Sequence, residues 1–457
     1  MAITLRVKNN YGGNLVSQKY QPVETPALAS GDKDDCQALV NGRIDVLRDT
    51  GKVPRALDFS TGGGWGAICA AENNAASLPP LLVISSNRSA WIASGFARGQ
   101  ALLEQLEIGH FSNISDPQAF ARPNVESKDN ERPVPAWYFP PRVNDVNRRV
   151  YVIVHELEYG KYRDALNSVT NLHVIGWSFR NDAGWQDGGD YPYVGFGASR
   201  YAAIEFAKRL RRDCANRWNR AWLVDDNVYH LNSFKGLQAA EAASAALGLV
   251  GLGFGSETAT DTSDGIAAKF KGKKLLGQQP GTYAAAAFRK DRVLQQAVLW
   301  DIDWLDRNNL NFSPYFIASA EDTSITNYLL ANKFAFGIAT ETTILKQTTT
   351  GYDNDEGAEL LGRIRYNYER WYAITEGLQQ VVDQNGAATP QALKTFIVDK
   401  VFPASVMAAQ VGNAEVRNRA ICQAVESIMA VGVKLAGATP SRLFKPNDNA
   451  QQVTNVT

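Results

Sequence analysis

The feature that most constrains this chain is the order of three β-branched or aromatic runs between residues 149 and 227, separated by stretches of helical pattern. Arg149-Val150-Tyr151-Val152-Ile153-Val154-His155 has the composition of a strand buried on both faces. A helical stretch follows from Lys161 to about Ser168, then a second strand at 172–177. Beyond a Gly/Asp-rich loop at 182–190, Ser199 is placed to cap a helix running to about Asn216. In that helix Ala203, Ala207, Leu210 and Cys214 recur at helical spacing. A third strand, 220–224, ends on Asp225-Asp226-Asn227. Such alternation predicts an α/β fold: a Rossmann-like, mainly parallel sheet flanked by helices, with ligands gathered at the carboxyl ends of the strands.

Size and composition set the outer limits. A chain of 457 residues corresponds to two or three domains of roughly 150 residues each. Its 45% hydrophobic and 10% aromatic content excludes global disorder. Lys plus Arg equals Asp plus Glu, 47 against 47, so a polyanion could be held only by a local patch. The four cysteines (Cys36, Cys69, Cys214, Cys422) form no CxxC pair, which speaks against a zinc module or a disulfide framework and fits a reducing compartment. The start of the chain lacks the architecture of a secretory signal, and no run reaches the roughly 20 apolar residues of a membrane span. A soluble, cytoplasmic protein is expected.

The chain divides into four parts. Residues 1–143 form an N-terminal extension of unassigned role, with buried-looking runs at 56–59 and 81–85 on either side of the glycine cluster at 60–66. Within it, 116–142 is rich in Pro, Asn, Asp and Arg and reads as a linker or long surface connection. Residues 144–353 hold the α/β pattern. Residues 354–437 are expected to be helical, from the spacing of Leu361, Ile364, Tyr368 and Trp371 and from the helix start at Thr389-Pro390. Residues 438–457 have the composition of a disordered tail.

The chemistry concentrates in two acidic segments. Asp225-Asp226 at the end of a buried strand is costly to desolvate unless a cation or hydrogen-bond donors compensate it. A Mg²⁺ or Mn²⁺ ion bridging a diphosphate is one such compensator; a solvated turn suits the same residues equally well. Upstream, Gly195-Phe196-Gly197-Ala198-Ser199-Arg200 is a glycine-rich helix start, an anion site to which Arg200 adds charge. The second segment, 311–322, is an aromatic strand delivering Glu321-Asp322. A carboxylate there suits a general base for an acceptor hydroxyl, although a helix start explains an isolated Glu-Asp pair more simply.

Together these motifs resemble the donor and acceptor sites of GT-A glycosyltransferases in order and spacing. GFGASRYAAIEFAKRL, AWLVDDNVYHL and NFSPYFIASAEDTSITNYL are most similar to the TET-associated glycosyltransferase family, over about 200 residues. The resemblance implies a UDP-sugar donor and transfer to a hydroxyl, 5-hydroxymethylcytosine in DNA, by a metal-assisted inverting mechanism. It implies that Asp225 holds the ribose or metal, that Asp226 binds the metal with Asn227 assisting, and that Asp322 or Glu321 is the base. It implies a nucleobase contact from His155 and Glu156, and a donor contact from Ser199 and Arg200. The chain departs from the family pattern in having Asn227 where a third acid is common, and in having no histidine after His230.

For a DNA partner the relevant cations are Lys208, Arg209, Arg211, Arg212, Arg217 and Arg220 around Trp218, and the lysines of 269–274. The polar face of an amphipathic helix accounts for them equally well. Other readings are a transferase with a protein, polysaccharide or small-molecule acceptor, a non-catalytic nucleic-acid-binding protein on the same fold, and a methyltransferase using the glycine-rich segment at 57–64.

Overall fold

The computed structural model describes residues 57–74, 78–86, 88–114, 134–139, 147–169, 171–179, 195–215, 217–231, 237–259, 288–289, 294–312, 321–322, 325–326, 329 and 334–347. The expected linker outside 134–139, the lysine cluster at 269–274, the aromatic run at 313–320 and everything beyond 353 lie outside these residues.

The elements in chain order are β1 (Leu57–Thr61), α1 (Gly64–Asn74), β2 (Leu81–Ile84), α2 (Ser89–Gln105), β3 (Val150–His155), α3 (Glu156–Leu166), β4 (Leu172–Phe179) and α4 (Gly195–Asp213). They continue with β5 (Arg220–Asp225), β6 (Val228–Leu231), α5 (Leu237–Ala246), β7 (Gly251–Ala259), β8 (Phe288–Arg289), β9 (Ala297–Asp301), α6 (Ile302–Arg307) and β10 (Phe336–Gln347). The strands join in one sheet in the order β1-β4-β3-β2-β5-β9-β7-β10-β6, with β8 beside β10. The α/β class expected from the sequence is the class observed.

The sheet is mixed rather than mainly parallel. β4, β3, β2 and β5 run parallel to one another, whereas β9 lies antiparallel between β5 and β7 and β1 is an antiparallel edge on β4. A boundary at residue 143 would cut this sheet, because β2 is hydrogen-bonded to β3 on one side and to β5 on the other. The run at 81–85 therefore supplies a central strand of the α/β unit.

Strand alternation sorts the core into two layers. Leu82, Ile84, Tyr151, Ile153, Ala221, Leu223, Val298 and Trp300 face one side, where α4 packs through Ala203, Ala207, Leu210 and the following Cys214. Leu81, Val83, Val150, Val152, Val154, Trp222, Val224, Ala297 and Leu299 face the other, against Ile92 of α2, Tyr162 of α3 and Leu237 of α5. All six residues of β3 are buried, as its β-branched run required.

Three further departures have physical causes. α4 begins at Gly195, so Ser199 lies inside the helix and does not cap it. Residues 134–139 are packed core: Val134 and Trp137 are 0% exposed, and the Ala136–Tyr138 turn is walled in by apolar and aromatic side chains. Cys69 of α1 and Cys214 are joined in a disulfide across 145 residues, contrary to the reduced cysteines expected. No helix among the described residues is long and apolar enough to cross a membrane.

Two networks of buried charge tie the sheet to its helices. Arg148 is 0% exposed and donates to Glu241 at 2.7 and 3.3 Å and to the Pro79 carbonyl, while Trp222 Nε1 donates to the same Glu241 at 2.7 Å. Glu72 accepts from Tyr151 and Trp218, tying α1 to β3 and to the approach to β5. Removing one member of such a pair strands the other charge in a low-dielectric interior. Glu241→Ala is expected to cost about 3–5 kcal/mol of unfolding free energy, measured by urea denaturation. A loss below about 1 kcal/mol would show that Arg148 finds solvent or another acceptor.

Candidate functional site

The parallel strands β3, β2 and β5 end side by side, with Ile84 opposite Asp225 in the register. The chain leaves each strand there with polar residues: Ser85 and Arg88 after β2, His155 at the end of β3, and Asp225-Asp226-Asn227 at the end of β5. This edge is where an α/β sheet presents its ligand site.

Asp225, Asp226 and Asn227 are buried at 5%, 2% and 2% exposure, so each polar atom needs a partner. Asp225 Oδ1 accepts from Arg200 Nη2 at 2.7 Å. Arg200 Nε donates to Glu321 Oε1 at 2.9 Å. One guanidinium thus joins two acidic segments that are 96 residues apart in sequence (321 minus 225). Burial works against the Arg200 charge, but Asp225, Glu321 and Asp322 outweigh it and hold the guanidinium protonated. Burial, and after it Asp322, push the Glu321 carboxyl up to about 7 against the pull of Arg200. Asp322 is half-buried beside it, and its carbonyl accepts from Thr326 Oγ1 at 2.7 Å.

Asp226 sits in a second network. Its Oδ2 accepts from Ser85 Oγ at 2.6 Å, and its Oδ1 takes the Arg88 guanidinium. Ser85 Oγ lies 2.6 Å from the Tyr162 hydroxyl, which accepts from the Arg88 backbone N–H at 2.9 Å. Ser85 spends its proton on Asp226, so Tyr162 donates to Ser85. Burial, reinforced by Asp226, keeps the Tyr162 hydroxyl protonated. The ring closes on Arg88, which contributes its backbone to one end and its side chain to the other. Trp137 Nε1 adds a bond to the Asp226 carbonyl at 3.1 Å.

The remaining predicted residues are placed differently from one another. His155 Nδ1 accepts from the Leu157 N–H at 3.3 Å and so caps α3, with its ring edge-on to Trp177 at 5.0 Å. Glu156 reaches back over β4, where its Oε2 fills the space that a Cβ at Gly176 would need. Ser199 lies on α4 one residue before Arg200, half-buried.

Ser85, Arg88, Trp137 and Tyr162 are site residues that the sequence reading did not single out. The run at 81–85 marked a buried strand, and a serine followed by an arginine just past its end was the available signal.

The metal expectation meets a specific obstacle. The proposed ligands Asp225 and Asp226 already carry arginine partners, and both oxygens of Asp226 are engaged. Among the described residues no group of three or more His, Cys, Asp or Glu side chains could hold a metal ion. These residues do not fit a Mg²⁺ or Mn²⁺ site as they stand.

The expected basic patch is largely neutralised. Lys208 pairs with Glu205, Arg209 with Asp213, Arg211 with Asp303, Arg212 with Asp306 and Arg220 with Asp301, all within 3.2 Å. Arg209 also covers the Trp65 ring at 4.3 Å. Five of the six cations in 208–220 are therefore paired: Lys208 and Arg209 within α4, Arg211 and Arg212 across to α6, and Arg220 to the end of β9.

No protein-family model matches the chain, and no curated protein matches it significantly. Among solved structures it is similar to residues 1–349 of TarS from S. aureus, at 12% identity and a TM-score of 0.31, covering 78% of this chain and 92% of that one. The same fragment in complex with UDP matches at 12% identity and a TM-score of 0.32, with the same coverage. At these values the likeness does not define a family.

The Arg200 bridge generates a pH-dependent expectation. Without Arg200, Asp225 and Glu321 lose their shared counter-charge, and the Glu321 carboxyl is pushed higher still. An acid whose pKa is raised on folding binds its proton more tightly in the folded state, so stability falls as pH rises from the unfolded value toward the folded one. Arg200→Met is expected to lose about 3–5 kcal/mol, and more near pH 8 than near pH 6, in urea titrations at the two values. An equal loss at both would mean that Arg200 acts through packing alone.

Proposed function

We propose that the chain is a glycosyltransferase that moves a sugar from a UDP-sugar to a hydroxyl acceptor, with the donor held at the Asp225–Arg200 side and Glu321 as the base. The observation that carries this reading is the meeting of the two acidic segments on Arg200 at the carboxyl edge of the parallel strands. A transferase of this kind needs a cationic, donor-rich pocket for a departing diphosphate next to a carboxylate that can accept a proton.

Glu321 is preferred over Asp322 as the base because its pKa of about 7 matches a proton acceptor working near neutrality. In the reaction the acceptor oxygen attacks the anomeric carbon while the bond from that carbon to the diphosphate breaks. The nucleoside diphosphate leaves with the electron pair, and the acceptor proton passes to Glu321. Arg200, held protonated, stabilises the charge developing on the leaving group. Attack opposite the leaving group inverts the anomeric configuration. The acceptor implied by the sequence resemblance, 5-hydroxymethylcytosine in DNA, rests on that resemblance alone. The paired state of the 208–220 cations offers no separate support for it.

Donor specificity is tested by incubating the protein with UDP-, GDP- and TDP-sugars and hydroxymethylcytosine-containing or unmodified DNA, followed by mass spectrometry of the acceptor. Transfer or donor hydrolysis with a UDP-sugar supports the reading, and inactivity with every donor together with no nucleotide binding sinks it. Retained anomeric configuration would remove Glu321 from the base role. Glu321→Gln is expected to lower turnover about 100- to 10,000-fold with UDP affinity retained. Because the base must be ionised, the wild-type rate should rise with pH through about 7. Asp322→Asn should move that limb to lower pH, since Asp322 helps to raise it.

A further inference from the structure

We infer that Arg88 and Arg200 take the place of a divalent cation, so that the Asp225–Asp226 site takes a nucleoside diphosphate without metal. For the identity of the ligand this rests on the reading above; for the state of the carboxylates it rests on geometry alone.

Two aspartates at the end of a buried strand demand positive charge. Here the chain supplies it from two separate elements. Arg88, at the start of α2, pairs with Asp226, and Arg200, in the first turns of α4, pairs with Asp225 and Glu321. Neither arginine is a loose surface side chain, since their side chains are 15% and 7% exposed. Both guanidinium groups are held charged; burial works against Arg88, but Asp226, Tyr162 and Asp225 together outweigh it.

The geometry around Asp226 disfavours a metal on independent grounds. A hard cation of this type needs carboxylate oxygens free to enter its shell. One oxygen of Asp226 accepts from Ser85 Oγ at 2.6 Å, the other faces Arg88, and its backbone carbonyl accepts from Trp137. Freeing Asp226 would break a ring that also runs through Tyr162 and the Arg88 backbone. The metal would displace one buried charge and leave another unpaired.

Arginine suits the alternative. Its planar array of donors can face a carboxylate on one edge and phosphate oxygens on another. The site would then recognise a diphosphate by two guanidinium groups fixed in place before it arrives.

The test combines two titrations of the wild-type protein. Mn²⁺ is titrated alone and followed by its electron paramagnetic resonance signal; UDP is titrated by calorimetry in EDTA and again in Mn²⁺. The expected results are no stoichiometric Mn²⁺ binding, and a UDP affinity that agrees within about twofold between the two conditions. Stoichiometric Mn²⁺ binding, or a loss of about tenfold or more in UDP affinity on adding EDTA, overturns the inference. If UDP binds in neither condition the transferase reading fails, and the Mn²⁺ titration alone decides the state of the carboxylates. Arg88→Lys, which keeps the charge, should retain more UDP affinity in EDTA than Arg88→Met; equal losses would overturn the role given to Arg88.

Discussion

The interaction on which the site depends is the Arg200 guanidinium lying between Asp225 and Glu321. Each of the three groups is buried, and each alone would be expensive to keep charged in that position. Together they form a compact charged unit whose members come from α4, from the end of β5 and from the segment at 321–322. Because the unit is stable only when complete, it fixes the relative placement of three parts of the chain. Within it Arg200 draws the Glu321 carboxyl down against the burial and the Asp322 charge that raise it.

Around this unit the sheet acts as a frame. The parallel strands β3, β2 and β5 set the spacing at which Ser85, Tyr162 and Asp226 meet, and the two core layers hold α4 and α3 on opposite faces. The polar networks at Glu72 and Glu241 lock the opposite ends of these elements. Rigidity there is what allows short hydrogen bonds at the carboxyl edge to be kept with so little exposure to solvent.

Much of the frame was legible in the sequence. The three strands between 149 and 225 and the apolar stripe of α4 announce themselves by period, because each satisfies its burial within its own stretch of residues. What was not legible depends on partners far away. The run at 81–85 reads as a buried strand, but nothing local says that it enters between β3 and β5. The antiparallel insertion of β9 is equally a property of the assembled sheet. Trp137 sits in a proline-rich stretch whose composition suggests a connection, yet its aromatic cluster finds a buried seat. At the site, a pair of aspartates after a strand looks the same in sequence whether a metal or arginines will answer it. Arg88, 138 residues before Asp226 (226 minus 88), carries no local mark of that role. The Cys69–Cys214 link is a contact between helices that spacing could not reveal.

That link bears on α4 as a mechanical part. Arg200 stands near the start of this helix, and Cys214 follows its end, 14 residues later (214 minus 200) and so about 21 Å along the axis. A rod stapled at one end and gripped by two carboxylates at the other has no freedom to slide past the sheet. The guanidinium that Asp225 holds at the end of β5 thus belongs to a helix whose other end is covalently tied to α1.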